Sequence, residues 1–407
     1  MKSLQATSHF SESPLGTNQD KSPRSSTTGP FSIRVFSNVE VFLDRLDTYP
    51  QQTSRTAFQT SHWLSTWYRT IGNKIGEPIL IDVFDRRSDT LVAALALIRR
   101  IDRGLRVIEF ADDGVSDYNC PILGAASPSI FAESRALWVA IRSALPPADL
   151  LRFTKMPAHV AGRPNPLALL GSTRASRLNS NILAIDNGWT EYLKSLERKF
   201  RKELGRSWRV FANHPGAVFK CIDNPAEATR VLEALEQQQI AHLQERGKLH
   251  ILDNPRVAQF YRSLTVGGLA DGNVILTALQ CGDDVVAALL GVTTEQTYVM
   301  VRISRSTGNW SNCSPGRLLI VKTMEMLRAR GYRHFDFSIG NYAYKRRFGV
   351  QPRPLVDLLV AGSALGVPVL ALEYVKHLVR SSPAQVIARQ FKLHFQRLRP
   401  IGQSERD

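Results

Sequence analysis

Cysteine is sparse in this chain. Four occur in 407 residues (Cys120, Cys221, Cys281 and Cys313), and no two stand as a CxxC pair. That spacing offers no zinc-ligand set and, in a chain of this length, no disulfide framework. Reduced thiols in a cytoplasmic protein are the expectation. Acidic residues are also in deficit, 36 against 52 Lys and Arg, giving a formal charge of +16 and a pI near 10. Such an excess favours anionic partners: nucleic acid, acidic lipid or a phosphate-rich small molecule. Long apolar runs are missing. The most apolar stretch, Leu358 to Leu372, carries Pro368 and has about 15 residues, short of the roughly 20 that span a bilayer. The N-terminus lacks the apolar core of a signal peptide. No G-x-S-x-G string supports a serine hydrolase. No RNP, zinc-finger or helix-turn-helix signature supports sequence-specific nucleic-acid reading.

What is present divides into segments. Residues 1–30, rich in Ser, Thr, Pro and Gln, cannot bury enough surface to offset ordering entropy, which predicts a disordered tail. Two stretches then share one design. ILIDVF, the turn DRRSDT and LVAALALI are matched later by VILTALQ, CGDD and VVAALLGV, and both contain VAAL (Val92–Leu95 and Val286–Leu289). A helical region precedes each hairpin and a further strand follows it, as in two related units in tandem. Trp63, Trp67 and Ile71 recur at i, i+4 and read as core. The expected boundaries are a first unit at 31–188, closed by a strand near Asn181–Ile185, and a basic connecting helix at 189–212. A second unit follows at 213–362, ending in a strand at Leu355–Val360, and a basic helical tail at 363–407. The connecting helix sets Lys194, Arg198, Lys199, Arg201, Lys202, Arg206 and Arg209 around an apolar stripe, either a solvated linker or an anion-binding wall.

Ser311 to Gly349 (SNCSPGRLLIVKTMEMLRARGYRHFDFSIGNYAYKRRFG) is the most informative stretch. Ser314 suits an N-cap and Pro315 the first helical position. Gly316 leaves the first turn without a Cβ, and Arg317 adds a cation. Such an opening aims free N–H groups and a positive dipole end at a phosphate, or simply caps a helix. Asp336, a carboxylate inside an apolar strand, is a candidate base or the anchor of a turn. Asp117 and Tyr118 are candidates to face a cleft. His242 and Glu245, at i, i+3, either reach that cleft or pair on the surface.

The second unit reads as strand, helix, helix, three strands, helix, strand, helix, strand, the order of the GNAT acetyltransferase fold. The strings SPGRLL, RGYRHFDFSIGNYAYKRRFG, QQQIAHLQERGK, FQTSHWLSTWYR, LVAALALI and GVSDY resemble the CelD/BcsL-type "acetyltransferase involved in cellulose biosynthesis" family. That family is related to the Fem-type peptidoglycan aminoacyltransferases. The resemblance covers roughly Ser32 to Gly362, and its most specific part is Asp336 to Gly349. It departs from the usual GNAT phosphate loop, Gln/Arg-x-x-Gly-x-Gly/Ala, of which only Ser-Pro-Gly-Arg remains.

The resemblance implies an α+β fold of two tandem GNAT-like units with mixed central sheets, plus a C-terminal helical tail, the first unit being a degenerate copy. It implies an N-acyltransferase moving an acyl group from acetyl-CoA or another acyl-CoA to an amine on a small-molecule, sugar or glycan-precursor acceptor. Ser314, Gly316 and Arg317 would hold the donor phosphates, and backbone N–H groups near Arg302 and Ile303 its carbonyl. Asp336 would serve as base, Tyr342 and Tyr344 as acids for the thiolate, and Lys345 as an anion clamp. Asp117, Tyr118, His242 and Glu245 would line the acceptor side. No metal is expected. Two alternatives stand: a Fem-type transferase using charged tRNA, or a non-catalytic GNAT pair binding acidic lipid or nucleic acid. The basic tail would either suit an anionic membrane surface on the cytoplasmic side or pack as a helix across the two units.

Overall fold

The computed structural model describes residues 23–49, 53–186, 188–244 and 254–381, and two mixed sheets organise them. The first half contains β1 (Arg24–Thr28), β2 (Phe31–Phe36), α1 (Val39–Thr48), α2 (Ser61–Trp67), the single turn α3 (Asn73–Ile75), β3 (Glu77–Asp85) and β4 (Leu91–Asp102). It continues with β5 (Leu105–Phe110), β6 (Ile122–Leu123), α4 (Phe131–Ala144), β7 (Leu150–Pro157), the small pair β8 (His159–Val160) and β9 (Arg163–Pro164), and β10 (Thr173–Ser180). Then come β11 (Ile182–Ala184), α5 (Trp189–Ser195), α6 (Arg198–Ala212), β12 (Ala217–Ile222), α7 (Pro225–Gln244) and α8 (Pro255–Gly268). The last part holds β13 (Val274–Cys281), β14 (Asp284–Thr294), β15 (Thr297–Arg305), α9 (Pro315–Ala329), β16 (His334–Asp336), α10 (Ala343–Arg347), β17 (Arg353–Ala361) and α11 (Val367–Ser381).

Local chemistry sets several of these limits. Asn38 accepts hydrogen bonds from the N–H groups of Glu40 and Val41, Asn224 from Ala226 and Glu227, and Asn254 from Arg256. In α7 and α8 a proline follows the capping Asn, where its missing N–H leaves no bond unmade. β4 and β14 are apolar on successive residues rather than alternating, because helices cover both faces of each sheet.

The first sheet runs β1-β2-β3-β4-β5-β7-β17-β10, with β6 on β4, and the second runs β11-β16-β15-β14-β13-β12. Between them lies one shared core from α1, α2, α7, α8 and the facing sides of both sheets. Trp63 joins its parts: its ring meets Phe58 and Phe260 edge-on, and its indole N–H donates to Ser116 Oγ at 3.2 Å. On the outer sides α4 covers the first sheet, and α6 and α9 cover the second. The architecture is two tandem GNAT-like units packed through their paired helices, with a helix, α11, after the last strand.

The chain crosses between sheets in a way that simple tandem boundaries do not anticipate. β17, expected to close the second unit, pairs with β7 and β10 in the first sheet, while β11 pairs with β16 in the second. Each unit therefore borrows a strand from the other half of the sequence. Pattern alone cannot show this, since a short apolar strand fits either sheet edge. Within the predicted tail, Arg24–Thr28 forms an edge strand on β2; residues 1–22 lie outside the described residues. The connecting helix is two, α5 and α6, and residues 382–407 of the basic tail also lie outside.

Candidate active site

In the second unit β15 and β16 run parallel from the pair Thr297–His334 to Val299–Asp336, and the ladder ends there. At that level β15 slips against β14: Leu290 faces Arg302 and Gly291 faces Met300, leaving Val301 as an extra residue. The result is a β-bulge beside separating parallel strands. It lies one residue before Arg302, where the resemblance implies carbonyl-binding backbone N–H groups.

Arg302 does not offer its side chain to a ligand. Its guanidinium is buried, lies 4.9 Å from the Tyr261 ring centroid, and donates to Gln239 Oε1 at 2.6 and 3.1 Å. Burial pushes its pKa down. The same Gln239 donates to the Ile303 carbonyl at 2.8 Å, so one amide braces the two residues that follow the bulge. Gln238 donates to the Val285 carbonyl and accepts from Ser304 Oγ. The QQQ string is thus a polar seam between α7 and β15. Sequence reading used it only as a family mark, although adjacent amides on an otherwise apolar helix signal backbone partners.

The N-terminus of α9 faces the end of β15. An added Cβ at Gly316 would sit 3.6 Å from Arg305 Cδ and 4.0 Å from Ile303 Cδ1, so the first turn lies close to the bulged strand. Ser314 does not cap it with its side chain. Ser314 takes a left-handed backbone, φ 47°, and its Oγ accepts from Arg317 Nη2 at 3.0 Å. The N–H groups of the first turn therefore have no side-chain cap from Ser314 and remain available to an anion. Arg317 also approaches Glu203 of α6 at 3.5 Å, and Arg347 pairs with that carboxylate at 2.8 Å.

Asp336 sits where β16 ends, 1% exposed. Its Oδ1 accepts from the Tyr118 hydroxyl at 2.8 Å and from the Ser338 N–H at 2.7 Å. The bond from the Ser338 N–H makes this carboxylate an anchor of the turn after β16. Burial raises its carboxyl pKa to about 7, against the lowering effect of the Tyr118 hydrogen bond. Asp117 accepts from Ser338 Oγ, and burial raises it to about 6. Asp117 and Tyr118 belong to the first unit, so its loop reaches into the second unit's site. Tyr118 is closed against Asp336 rather than open to a cleft.

Lys345 is not an anion clamp. It is 3% exposed, and its ammonium donates to the carbonyls of Phe337 at 2.6 Å, Ser338 at 3.3 Å and Ile339 at 2.6 Å. Burial lowers its pKa to about 8. The lysine holds the turn after β16 from below, a role its place in a basic-aromatic string does not reveal. Asn181, where the chain passes from β10 to β11, holds the same turn by donating to the carbonyls of Ser338 and Gly340. Nothing in the local pattern singled it out. Tyr342 is 62% exposed and stacks on Tyr344 with centroids 6.2 Å apart. Burial raises the Tyr344 phenol, so it keeps its proton. His242 lies half-buried in the last turn of α7, and Glu245 lies outside the described residues. Among the described residues no group of His, Cys, Asp or Glu is arranged to hold a metal, and no helix is long and apolar enough to cross a membrane.

The fold and this strand divergence define a GNAT-like pair. Residues 198–346 match the family described as Acetyltransferase (GNAT) domain. That match spans α6 to α10 and includes the bulge, the α9 N-terminus and Asp336. Among solved structures the chain is similar to FemX, with a TM-score of 0.56 and 12% identity over 83% of this chain and 99% of that one. It also overlaps the C-terminal domain (DUF2156) of a putative lysylphosphatidylglycerol synthetase from Agrobacterium fabrum (TM-score 0.47, 14% identity, 83% and 97% covered). A tandem GNAT protein from the clavulanic acid biosynthesis pathway gives a TM-score of 0.44 at 13% identity, covering 82% and 99%. A search of curated proteins gives no match.

Proposed function

We propose that the chain is an N-acyltransferase that moves an acyl group, acetyl in the simplest case, from acyl-CoA to an amine on a sugar or envelope-polysaccharide-related acceptor. One observation carries this reading: a bulged strand that parts from its parallel neighbour directly beside an open helix N-terminus. The donor phosphates would lie on the Gly316 and Arg317 N–H groups, near the Arg317 guanidinium, with the thioester between the separating strands. Backbone N–H groups at the bulge would polarise its carbonyl, a contribution that strengthens as the tetrahedral oxyanion forms.

The acceptor amine then attacks the carbonyl carbon, and the C–N bond forms as the C–S bond breaks. Asp336 takes up the amine's proton, relayed through the Tyr118 hydroxyl along their 2.8 Å hydrogen bond once the bound acceptor uncovers that buried side chain. A carboxyl titrating near 7 is matched to that task. Tyr344, held protonated by burial, supplies the proton that leaves with CoA as a thiol. Acetyl-CoA should raise the melting temperature of the full chain, as a ligand specific to the folded state does. Arg317→Ala should remove that shift. No response to any CoA species would overturn the reading.

A second reading has one observation in its favour. Arg198, Lys199, Lys202, Arg206 and Arg209 are exposed on α6, a helix that packs against α9. At 100° per residue they fall within an arc of about 100°. Such a face suits the phosphate backbone of a charged tRNA as acyl donor. Binding of uncharged tRNA that weakens steeply with salt, with no acetyl-CoA response, would favour it.

A further inference from the structure

The first unit has a cavity of about 250 Å³ that the proposed acyl transfer does not use. It opens where β5 and β7, parallel from Val107–Leu150 to Glu109–Arg152, stop pairing. This is the place that the separating β15 and β16 occupy in the second unit. Its size is far beyond the roughly 10–15 Å³ that holds one water. Arg100, Glu109, Asp112, Asp113, Asn119 and Arg152 line it.

Its chemistry is unlike that of a phosphate site. Arg100 pairs with Glu109 at 2.6 Å and Asp113 at 2.9 Å, and Arg152 with Glu109 at 2.7 Å and Asp102 at 2.8 Å. Lys155 pairs with Asp112 at 2.5 Å. Three cations thus meet four carboxylates, which leaves one negative charge in surplus. Asn119 is 1% exposed; its Nδ2 donates to Asp112 and to the Thr154 carbonyl, and its Oδ1 has no hydrogen-bond partner. A buried acceptor without a donor is costly, so this wall favours a ligand that brings N–H or O–H groups.

We propose that this cavity is a second ligand site, and that it takes a compact, donor-rich cation, a primary ammonium on a hydroxylated carbon frame. The ammonium meets Asp113, which among the described residues pairs with Arg100 alone, since Asp112 is already filled by Lys155, Asn119 and the Gly114 and Ser116 N–H groups, and a donor meets Asn119 Oδ1. The site is also tied to the second unit. Asp112 and Asn119 bracket the loop whose Asp117 and Tyr118 bond Ser338 and Asp336.

The test is titration calorimetry of the full chain with D-glucosamine, and with N-acetyl-D-glucosamine as the form lacking the ammonium. The expected result is saturable binding of glucosamine, weakened about tenfold by N-acetylation and by Asp113→Asn, as loss of a charge-assisted contact implies. Asp336→Asn should leave that binding unchanged, and Asn119→Leu should weaken it in a variant that still melts cooperatively. Absence of saturable binding, equal binding of the N-acetyl form, or binding lost in Asp336→Asn but kept in Asp113→Asn would overturn the proposal. The last outcome would place glucosamine in the second unit instead.

Discussion

Both units contain a parallel strand pair, β5 with β7 and β15 with β16, joined over three residue pairs before the ladder ends. What surrounds the opening differs. In the second unit a bulge puts an extra residue at Val301, and α9 starts there with Pro315, Gly316 and Arg317. In the first unit the opening is rimmed by paired charges, and the first turn of α4 carries an acid, Glu133, where that of α9 carries none. The repeated strand order therefore does not repeat the chemistry. Under the proposed function, a donor with several phosphates is matched to the second opening, where the uncapped first turn of α9 carries a cation, Arg317, and no acid. The first unit serves the second by position instead, lending Tyr118 and Asp117 to the turn after β16.

Trp63→Ala should have the largest effect on stability, about 3–5 kcal/mol for a buried aromatic. Its ring touches Phe58 in one unit and Phe260 in the other, so a single broadened loss of both units in calorimetric melting is expected. Two well-separated transitions would show that the units do not share a core. Asp336→Asn should lower turnover about 100-fold or more while leaving acetyl-CoA affinity nearly intact. Wild-type rate should rise with pH through a limb near 7 as Asp336 loses its proton, and the variant should lack that limb. The stability effect has the opposite sense. A folded pKa near 7 above the ordinary carboxylate value means the native state holds the extra proton, so wild-type stability falls as pH rises from about 4 to 7. Chemical denaturation of Asp336→Asn should show a flatter dependence in that window.

The smaller effects separate the two helix openings. Gly316→Ala adds a methyl group that meets only ordinary contacts, so stability should change by no more than about 0.5 kcal/mol. Donor binding should weaken nonetheless, because the methyl group stands over the first-turn N–H groups. Glu133→Arg, which gives α4 a cation where it has an acid, should confer no CoA binding on the first unit and should barely move its melting point. A gain of a second CoA site in that variant would show that charge alone distinguishes the openings.

Much of this was legible in the chain. The two hairpins, the tryptophan core, the helix at Pro315 and the strand carrying Asp336 follow from periodicity and turn residues, which act within a few positions. The exchange of β11 and β17 between sheets was not, since nothing local in ILA or RPLVDLLVA names a partner strand. The site residues divide the same way. Asp336 stood out as a charge in an apolar run, and Asp117 and Tyr118 as candidates in a loop. Their meeting spans 218 residues of sequence in the Tyr118–Asp336 bond. Lys345 illustrates the remaining gap: a lysine among aromatics and arginines looks free to bind an anion, and only the path of the backbone beneath it shows three carbonyls taking its protons.

The most direct test of the difference between the openings is calorimetric titration of acetyl-CoA into the wild-type chain, Arg317→Ala and Asp113→Asn. The account predicts one molecule bound per chain, lost or strongly weakened in Arg317→Ala and unchanged in Asp113→Asn. Binding that survives Arg317→Ala but disappears in Asp113→Asn would contradict it, and would place the donor in the first unit.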